Sequence, residues 1–215
     1  MHAVIVLGGE LPGPALLRSC AEECDLTIAA DRGLAAFARA GLMPDLLVGD
    51  MDSVDASLLD RFGGVEQRRL NCIKDDTDGV DAMDIAIARG AQRITLLGAL
   101  GGRLDHALAN LMLLVRAQNR GVSAQILDES VRIIRVDGSA VLHGAKGDTV
   151  SLLPLGQAEG VSLEGFFYPL SDHTLNSDHP LGVSNVVTHE EARVSVRTGD
   201  LLLFHHYGGT LGMNS

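Results

Sequence analysis

Two aspartate-rich turns, Gly49-Asp50-Met51-Asp52-Ser53 and Lys74-Asp75-Asp76-Thr77-Asp78, stand where apolar runs give way to polar ones. A third junction of the same kind reads Gly101-Gly102-Arg103-Leu104-Asp105-His106. Carboxylates gathered in one place repel, so the clustering costs free energy unless a cation sits among them. Mg²⁺ suits these residue types, because it takes oxygen ligands and shares them with phosphate groups. The chemistry implied is metal-assisted phosphoryl transfer.

Asp50 and Asp52 are one residue apart, and in an extended turn they reach one ion from different sides. Direct ligation by one or both is expected. Lys74 and Arg103 offer positive charge to phosphate oxygens, arginine through a planar fork; either can instead be a structural partner of the nearby acids. A single Asp after a strand is commonly a helix N-cap, and Asp52 or Ser53 is placed to cap a helix starting at Ala56. Four such junctions in one chain are poorly explained by capping alone. Gly8-Gly9 and the glycine-dense stretch Gly98–Gly102 allow backbone amides to approach an anion. The chain contains neither GxGxxG nor GxxxxGK[ST], which disfavours a Rossmann dehydrogenase and a P-loop kinase. It also lacks the GxSxG elbow of serine hydrolases. His106 adjoins Asp105, whereas the remaining histidines show no metal-ligand spacing.

These groups need a scaffold, and the first part of the chain supplies an alternating one. Short β-compatible runs at Ala3–Leu7, Leu26–Ala30, Leu46–Val48, Glu66–Leu70, Ile94–Leu97 and Ala124–Leu127 are separated by helical segments. The helices are expected at Pro14–Glu23, Leu34–Ala40, Ala56–Arg61, Val80–Arg89 and Leu104–Asn119, the last with Leu104, Leu108, Leu111 and Val115 at helix spacing. Alternation of this kind predicts a mainly parallel α/β sheet flanked by helices, with ligands beyond the carboxyl ends of its strands. Asp31, Asp50, Asp52, Arg103 and Asp105 each follow such a run, and Asp75 and Asp78 do so after a few residues.

Past about Asp128 the helical period disappears. Short runs at Val131–Val136, Ala140–His143, Thr149–Leu153, Gly160–Leu163, Ser184–Thr188, Arg193–Arg197 and Asp200–Phe204 predict an all-β sandwich or jelly-roll-like domain. Thr198-Gly199 reads as a hairpin turn. The expected division is 1–130 and 131–215.

Composition narrows the class further. A formal charge of −11 opposes nucleic-acid binding. Between Asp45 and Asp81 ten acidic residues face four basic ones, so the excess gathers around the proposed site. No apolar run approaches the ~20 residues of a membrane span, and Met1–Leu7 reads as a strand rather than a secretory signal. A cytoplasmic protein is expected. Cys20, Cys24 and Cys72 are odd in number and without CxxC spacing, which predicts reduced, buried thiols. Aromatic residues are only 3% of the chain, so Phe166-Phe167-Tyr168 is its densest aromatic spot.

Taken in order, these junctions resemble the thiamine pyrophosphokinase family, whose pattern runs ADxG, GDxDS, KDxTD, GxxGGRxDH, then GxxYPL and GxSN. The chain has Ala30-Asp31-Arg32-Gly33, Gly49 through Ser53, Lys74 through Asp78 and Gly98 through His106. It continues with Gly165-Phe166-Phe167-Tyr168-Pro169-Leu170 and Gly182-Val183-Ser184-Asn185. It departs at Arg32, where many members carry Gly, and at Phe167, where a polar residue is common.

The resemblance implies the reaction ATP + thiamine → thiamine diphosphate + AMP with Mg²⁺, in a homodimer whose active sites lie between subunits. It implies Asp50, Asp52, Asp78, Arg103 and Asp105 as catalytic, with Asp50, Asp52 and Asp78 on the metal. ATP would be met by Asp31, Arg32, Gly33, Ser53, Lys74, Asp75, Gly101, Gly102, Arg103 and His106. Thiamine would be met by Thr77, Asp78, Tyr168, Ser184 and Asn185. Two rivals remain at this point: a pyrophosphokinase for another small alcohol, such as a pterin, and a non-catalytic nucleotide or thiamine sensor. The full set of acids together with Arg103 opposes the sensor.

Overall fold

The computed structural model describes residues 1–51, 54–69 and 77–208. Asp52, Ser53, Lys74, Asp75, Asp76 and Cys72, all singled out in the sequence, lie outside the described residues. The chain divides into two compact units, Met1–Glu129 and Ser130–Ser215.

Among the described residues the first unit has the strands β1 (His2–Val6), β2 (Leu26–Ala30), β3 (Leu46–Gly49), β4 (Glu66–Arg69), β5 (Arg93–Leu97) and β6 (Ser123–Leu127). They pair in the order β4-β3-β2-β1-β5-β6, and every pairing is parallel. β2 and β3 are buried along their whole length, as strands covered on both faces must be, and their residues are apolar apart from Thr27 and Gly49. The two buried threonines keep their hydroxyls bonded, Thr27 to Asp45 and Thr95 to Gln125 and His2.

Among the described residues the α-helices of this unit are α1 (Pro14–Glu22), α2 (Leu34–Ala40), α3 (Ala56–Arg61), α4 (Asp78–Ala88) and α5 (Leu104–Asn119). Val4, Val6, Ala29, Leu47 and Leu97 pack with Leu17, Leu34, Phe37 and Phe62 in one core. Burying a side chain such as Phe37 contributes about 1.5–3 kcal/mol. α4 lies against β1, β2, β3 and α5. The apolar spacing of α5 does not mark its packed face. Leu104 and Leu108 are 73% and 51% exposed, while Leu113, Leu114 and Ala117 are buried. The cap of α3 is Asp55, whose carboxylate accepts from Ser57 N–H at 2.8 Å, rather than Asp52 or Ser53.

The second unit is antiparallel throughout. Its strands are β7 (Val131–Arg135), β8 (Ser139–His143), β9 (Thr149–Glu164), β10 (Leu170–Asn176), β11 (Asn185–Val186), β12 (Glu191–Ser195) and β13 (Thr198–His206). The order is β7-β13-β9-β12-β8, with β10 and β11 also on β9. The runs expected at Thr149–Leu153 and Gly160–Leu163 are two ends of the single strand β9. β10 escapes the apolar pattern because most of its residues are polar and exposed. Val150, Leu152, Val161, Leu163, Leu175, Val194, Leu201 and Leu203 share one core.

Thr198-Gly199 is not a hairpin turn. β12 and β13 run along the same partner, Ser195 opposite Ser162 and Thr198 opposite Glu159. The register then slips, so that Asp200 faces Leu155. Gly199 has φ +96°, and a Cβ there would stand 2.2 Å from the Gln157 carbonyl oxygen, so the glycine serves a bulge between touching backbones.

Candidate active site

Strand order reverses between β1 and β5, and parallel sheets bind ligands at such a switch point, beyond the carboxyl ends of the strands. A cleft of about 380 Å³ opens there. Its walls come from the segment after β1 (Leu7, Gly8, Gly9), the turn after β2 (Ala30, Asp31, Arg32) and Asp50 after β3. The first turn of α4 adds Thr77, Asp78, Gly79 and Asp81, and the β5–α5 junction adds Gly101, Gly102, Arg103, His106 and Asn110.

Local backbone explains how the acids arrive. Asp31 opens a short 3₁₀ turn, Asp31–Gly33, with φ +46°. Met51, between Asp50 and Asp52, has φ +64°. Left-handed backbone at non-glycine residues is strained and concentrates at functional sites. Thr77 caps α4, its hydroxyl accepting from Val80 N–H at 3.4 Å, and this sets Asp78 in the first turn. α4 begins two residues before the expected Val80, so Asp78 and Asp81 share its first turn, three apart and therefore neighbours on one face.

The electrostatics follow from that gathering. Burial raises the Asp78 carboxyl to about 6, and the charges of Asp31, Asp50 and Asp81 push it the same way, opposed by His106. The anionic form is thus held at a cost that a cation would relieve. Among the described residues no group of three or more His, Cys, Asp or Glu side chains forms a ready metal cage. The crowding of Asp78 fits a cation such as Mg²⁺, which commonly takes one or two carboxylates and completes its shell with water and substrate phosphate.

Arg103 donates to Asp105 through Nε at 3.1 Å and Nη2 at 2.5 Å, a fork-to-carboxylate pair. That hydrogen bonding holds the Asp105 carboxyl down at about 2, helped by the His106 amide. Asp105 itself is not among the residues lining the cleft; it fixes the guanidinium that is. Gly33 also stands off the cleft wall. It is buried, and a Cβ there would lie 2.0 Å from the Val6 carbonyl oxygen, so it is a close-packing glycine under the turn.

Two of the polar residues lining the cleft, Asp81 and Asn110, are not among the site residues expected from the sequence. Asp81 was visible as an acid three residues from Asp78, and Asn110 as a polar residue four after His106 on a helix. Asn110 donates through Nδ2 to the Ala99 carbonyl at 2.8 Å, tying α5 to the glycine-rich loop.

The remaining predicted residues belong to the second unit. Tyr168 is 63% exposed and meets Phe167 edge to face, with ring centroids 4.8 Å apart. Ser184 is exposed, has φ +60°, and its N–H donates to Ser151 Oγ at 3.0 Å. Asn185 is only 6% exposed, and its carboxamide is engaged with the backbone of Tyr168.

The family model for "Thiamin pyrophosphokinase, catalytic domain" matches residues 17–126, and that for "Thiamin pyrophosphokinase, vitamin B1 binding domain" matches residues 133–203. The chain belongs to the thiamin pyrophosphokinase family. It is 26% identical over 212 residues to the thiamine pyrophosphokinase of Bacillus subtilis, covering 93% of this chain and 95% of that one. The crystal structure of the B. subtilis thiamine pyrophosphokinase superposes with a TM-score of 0.86 at 25% identity, covering 97% of this chain and all of that one. The thiamin pyrophosphokinase of Geobacillus thermodenitrificans gives 0.81 at 27% identity, over 98% and 99% of the two chains.

Proposed function

We infer that this thiamin pyrophosphokinase family member is a transferase that moves a pyrophosphoryl group from ATP to the hydroxyl of thiamine, releasing AMP. The observation that carries the reading is the acid-lined cleft at the sheet's switch point, in a chain whose two halves match the family's catalytic and vitamin-binding models in order.

The hydroxyethyl oxygen of thiamine attacks the β-phosphorus in line. A new O–P bond forms, the bond from that phosphorus to the α,β-bridging oxygen breaks, and AMP leaves with the oxygen. Asp50, Asp52 and Asp78 are the residues that would hold magnesium. Bound there, magnesium supplies charge neutralisation across the phosphate oxygens. Asp78 orients the acceptor hydroxyl or takes its proton. Arg103, held by Asp105, balances charge growing on the transferred group. Asp31, Arg32, Gly101, Gly102 and His106 line the phosphate side, with Ser53, Lys74 and Asp75 assigned there from the sequence. Gly33 supports that wall from beneath. Thr77, Tyr168 and Ser184 serve the thiamine side, where the cationic thiazolium is favoured by the acidic field. Positioning and electrostatics supply most of the acceleration.

The protein works as a homodimer with active sites between subunits, in the cytoplasm. Among the described residues no helix is long and apolar enough to cross a membrane. One assay tests the reading: purified protein, ATP and Mg²⁺ with thiamine, a hydroxymethyl pterin and other small alcohols, scored for AMP and for the diphosphorylated alcohol. Thiamine diphosphate and AMP in equal amounts are expected. ADP with a monophosphate, preference for another alcohol, or no turnover would each reject it.

A further inference from the structure

Residues 165–168 lie antiparallel to residues 185–188. Thr188 N–H donates to the Gly165 carbonyl at 2.8 Å, Phe166 bridges Val187, and Phe167 N–H donates to the Val186 carbonyl at 2.8 Å. Phe166 is buried in the core of the second unit, which anchors the start of this segment. At Tyr168 the chain bends, and the next link is made by a side chain. Asn185 Oδ1 accepts from Tyr168 N–H at 3.0 Å, and Asn185 Nδ2 donates to the Tyr168 carbonyl at 2.7 Å. The same oxygen accepts from Val186 N–H at 2.9 Å. A carboxamide carries one acceptor and one donor set in the geometry of a peptide group, so it can stand in for a strand partner. Pro169 follows with no N–H, which makes Tyr168 the last residue of the segment offering both groups to pair.

The arrangement is costly to build for packing alone. Asn185 is buried, yet what it fixes is a segment whose two aromatic rings, Phe167 and Tyr168, are about 60% and 63% exposed. Ser184 before it turns through a left-handed backbone, which lets the neighbouring amide run into the interior. We propose that Asn185 is a positioning residue: its carboxamide clamps the Tyr168 backbone and presents that ring to the thiamine-side ligand, so Asn185 acts on the acceptor through Tyr168 rather than by its own contact. The inference rests on the thiamine reading for the identity of the ligand, but the clamp itself does not.

Two measurements on the full-length protein test it. The chain has two tyrosines and no tryptophan, so a Tyr207→Phe protein reports Tyr168 fluorescence alone. In that background Asn185→Ala should lower the steady-state anisotropy of Tyr168 clearly, and Asn185→Asp, which keeps the acceptor and loses the donor, should fall between. Unchanged anisotropy in a folded variant overturns the clamp, whatever the substrate proves to be. The second measurement is a double-mutant cycle on turnover. Tyr168→Ala and Asn185→Ala should each raise the thiamine KM about tenfold with the ATP KM within twofold, and the double variant should be no worse than Tyr168→Ala. A double variant whose KM rises by the product of the two single effects means independent contact by Asn185 and rejects the proposal. A fall in Tm with an unchanged thiamine KM rejects it too. Should Asn185→Ala fail to fold, Asn185→Asp carries both tests.

Discussion

Replacing Asp78 by Asn should stabilise the folded protein while removing its activity, and the stabilisation should depend on pH. Asp78 is raised from 3.8 to about 6 by burial and by Asp31, Asp50 and Asp81. A shift of roughly two units corresponds to about 3 kcal/mol. Asp78 is only half-buried, so solvent screening reduces this to about 1.5 kcal/mol. Its place in the first turn of α4 favours the negative charge by about 0.3–1 kcal/mol. The net gain on removing the charge is therefore roughly 1 kcal/mol. Below pH ~4 the carboxyl is protonated in both folded and unfolded chains, and the penalty is absent. As pH rises through ~4 to ~6 the unfolded chain ionises first, and wild-type stability falls relative to the variant. Among the described residues the α-helices lie in the first unit, so urea unfolding followed by far-ultraviolet circular dichroism, without Mg²⁺, reads the unit that contains Asp78. The variant midpoint should exceed that of wild type by about 0.5 M at pH 8 and coincide with it near pH 4. A difference of equal size at both pH values, or a less stable variant at pH 8, would refute the account of crowded carboxylates.

Other outcomes follow from the same geometry. Saturating Mg²⁺ should raise the wild-type urea midpoint at pH 8 and leave Asp78→Asn nearly unmoved; equal effects on both would remove Asp78 from the metal set. Arg103→Ala should lower kcat/KM by about 10²–10³-fold, Asp105→Asn by about tenfold, and the pair together no more than Arg103→Ala. Full additivity would mean that Asp105 acts on its own. Gly33→Ala places a methyl 2.0 Å from the Val6 carbonyl oxygen and should destabilise the first unit by about 2–4 kcal/mol, read as a lowered midpoint in the same urea experiment.

The sequence made the first unit legible because its strands are buried on both faces and its helices are bounded by glycines and caps. Leu104–Asn119 is recovered residue for residue, and the cleft lies beyond the strand ends where Asp31, Asp50 and Arg103 pointed. Periodicity failed where burial is not its cause. On α5 the stripe through Leu104 and Leu108 faces outward. In the second unit β9 carries glycines at 156 and 160 inside a continuous strand, so punctuation was read as a break. For Asp105 and Asn185 a motif gives residue type without hydrogen-bond partner, and the structure supplies it: Arg103 for the one and the Tyr168 backbone for the other. Asp81 pairs with Asp78 on one face only because α4 begins at Asp78 rather than at Val80.

Strand β13 is an inner strand of the antiparallel unit, paired with β7 on one side and β9 on the other, although it comes from positions 198–206. Every strand of the parallel unit precedes residue 130. As the chain leaves the ribosome, the first unit has all its elements while the second still has an open seam with two unpaired edges. Such edges are sticky, so the interval before β13 emerges is the stretch of biogenesis most exposed to aggregation.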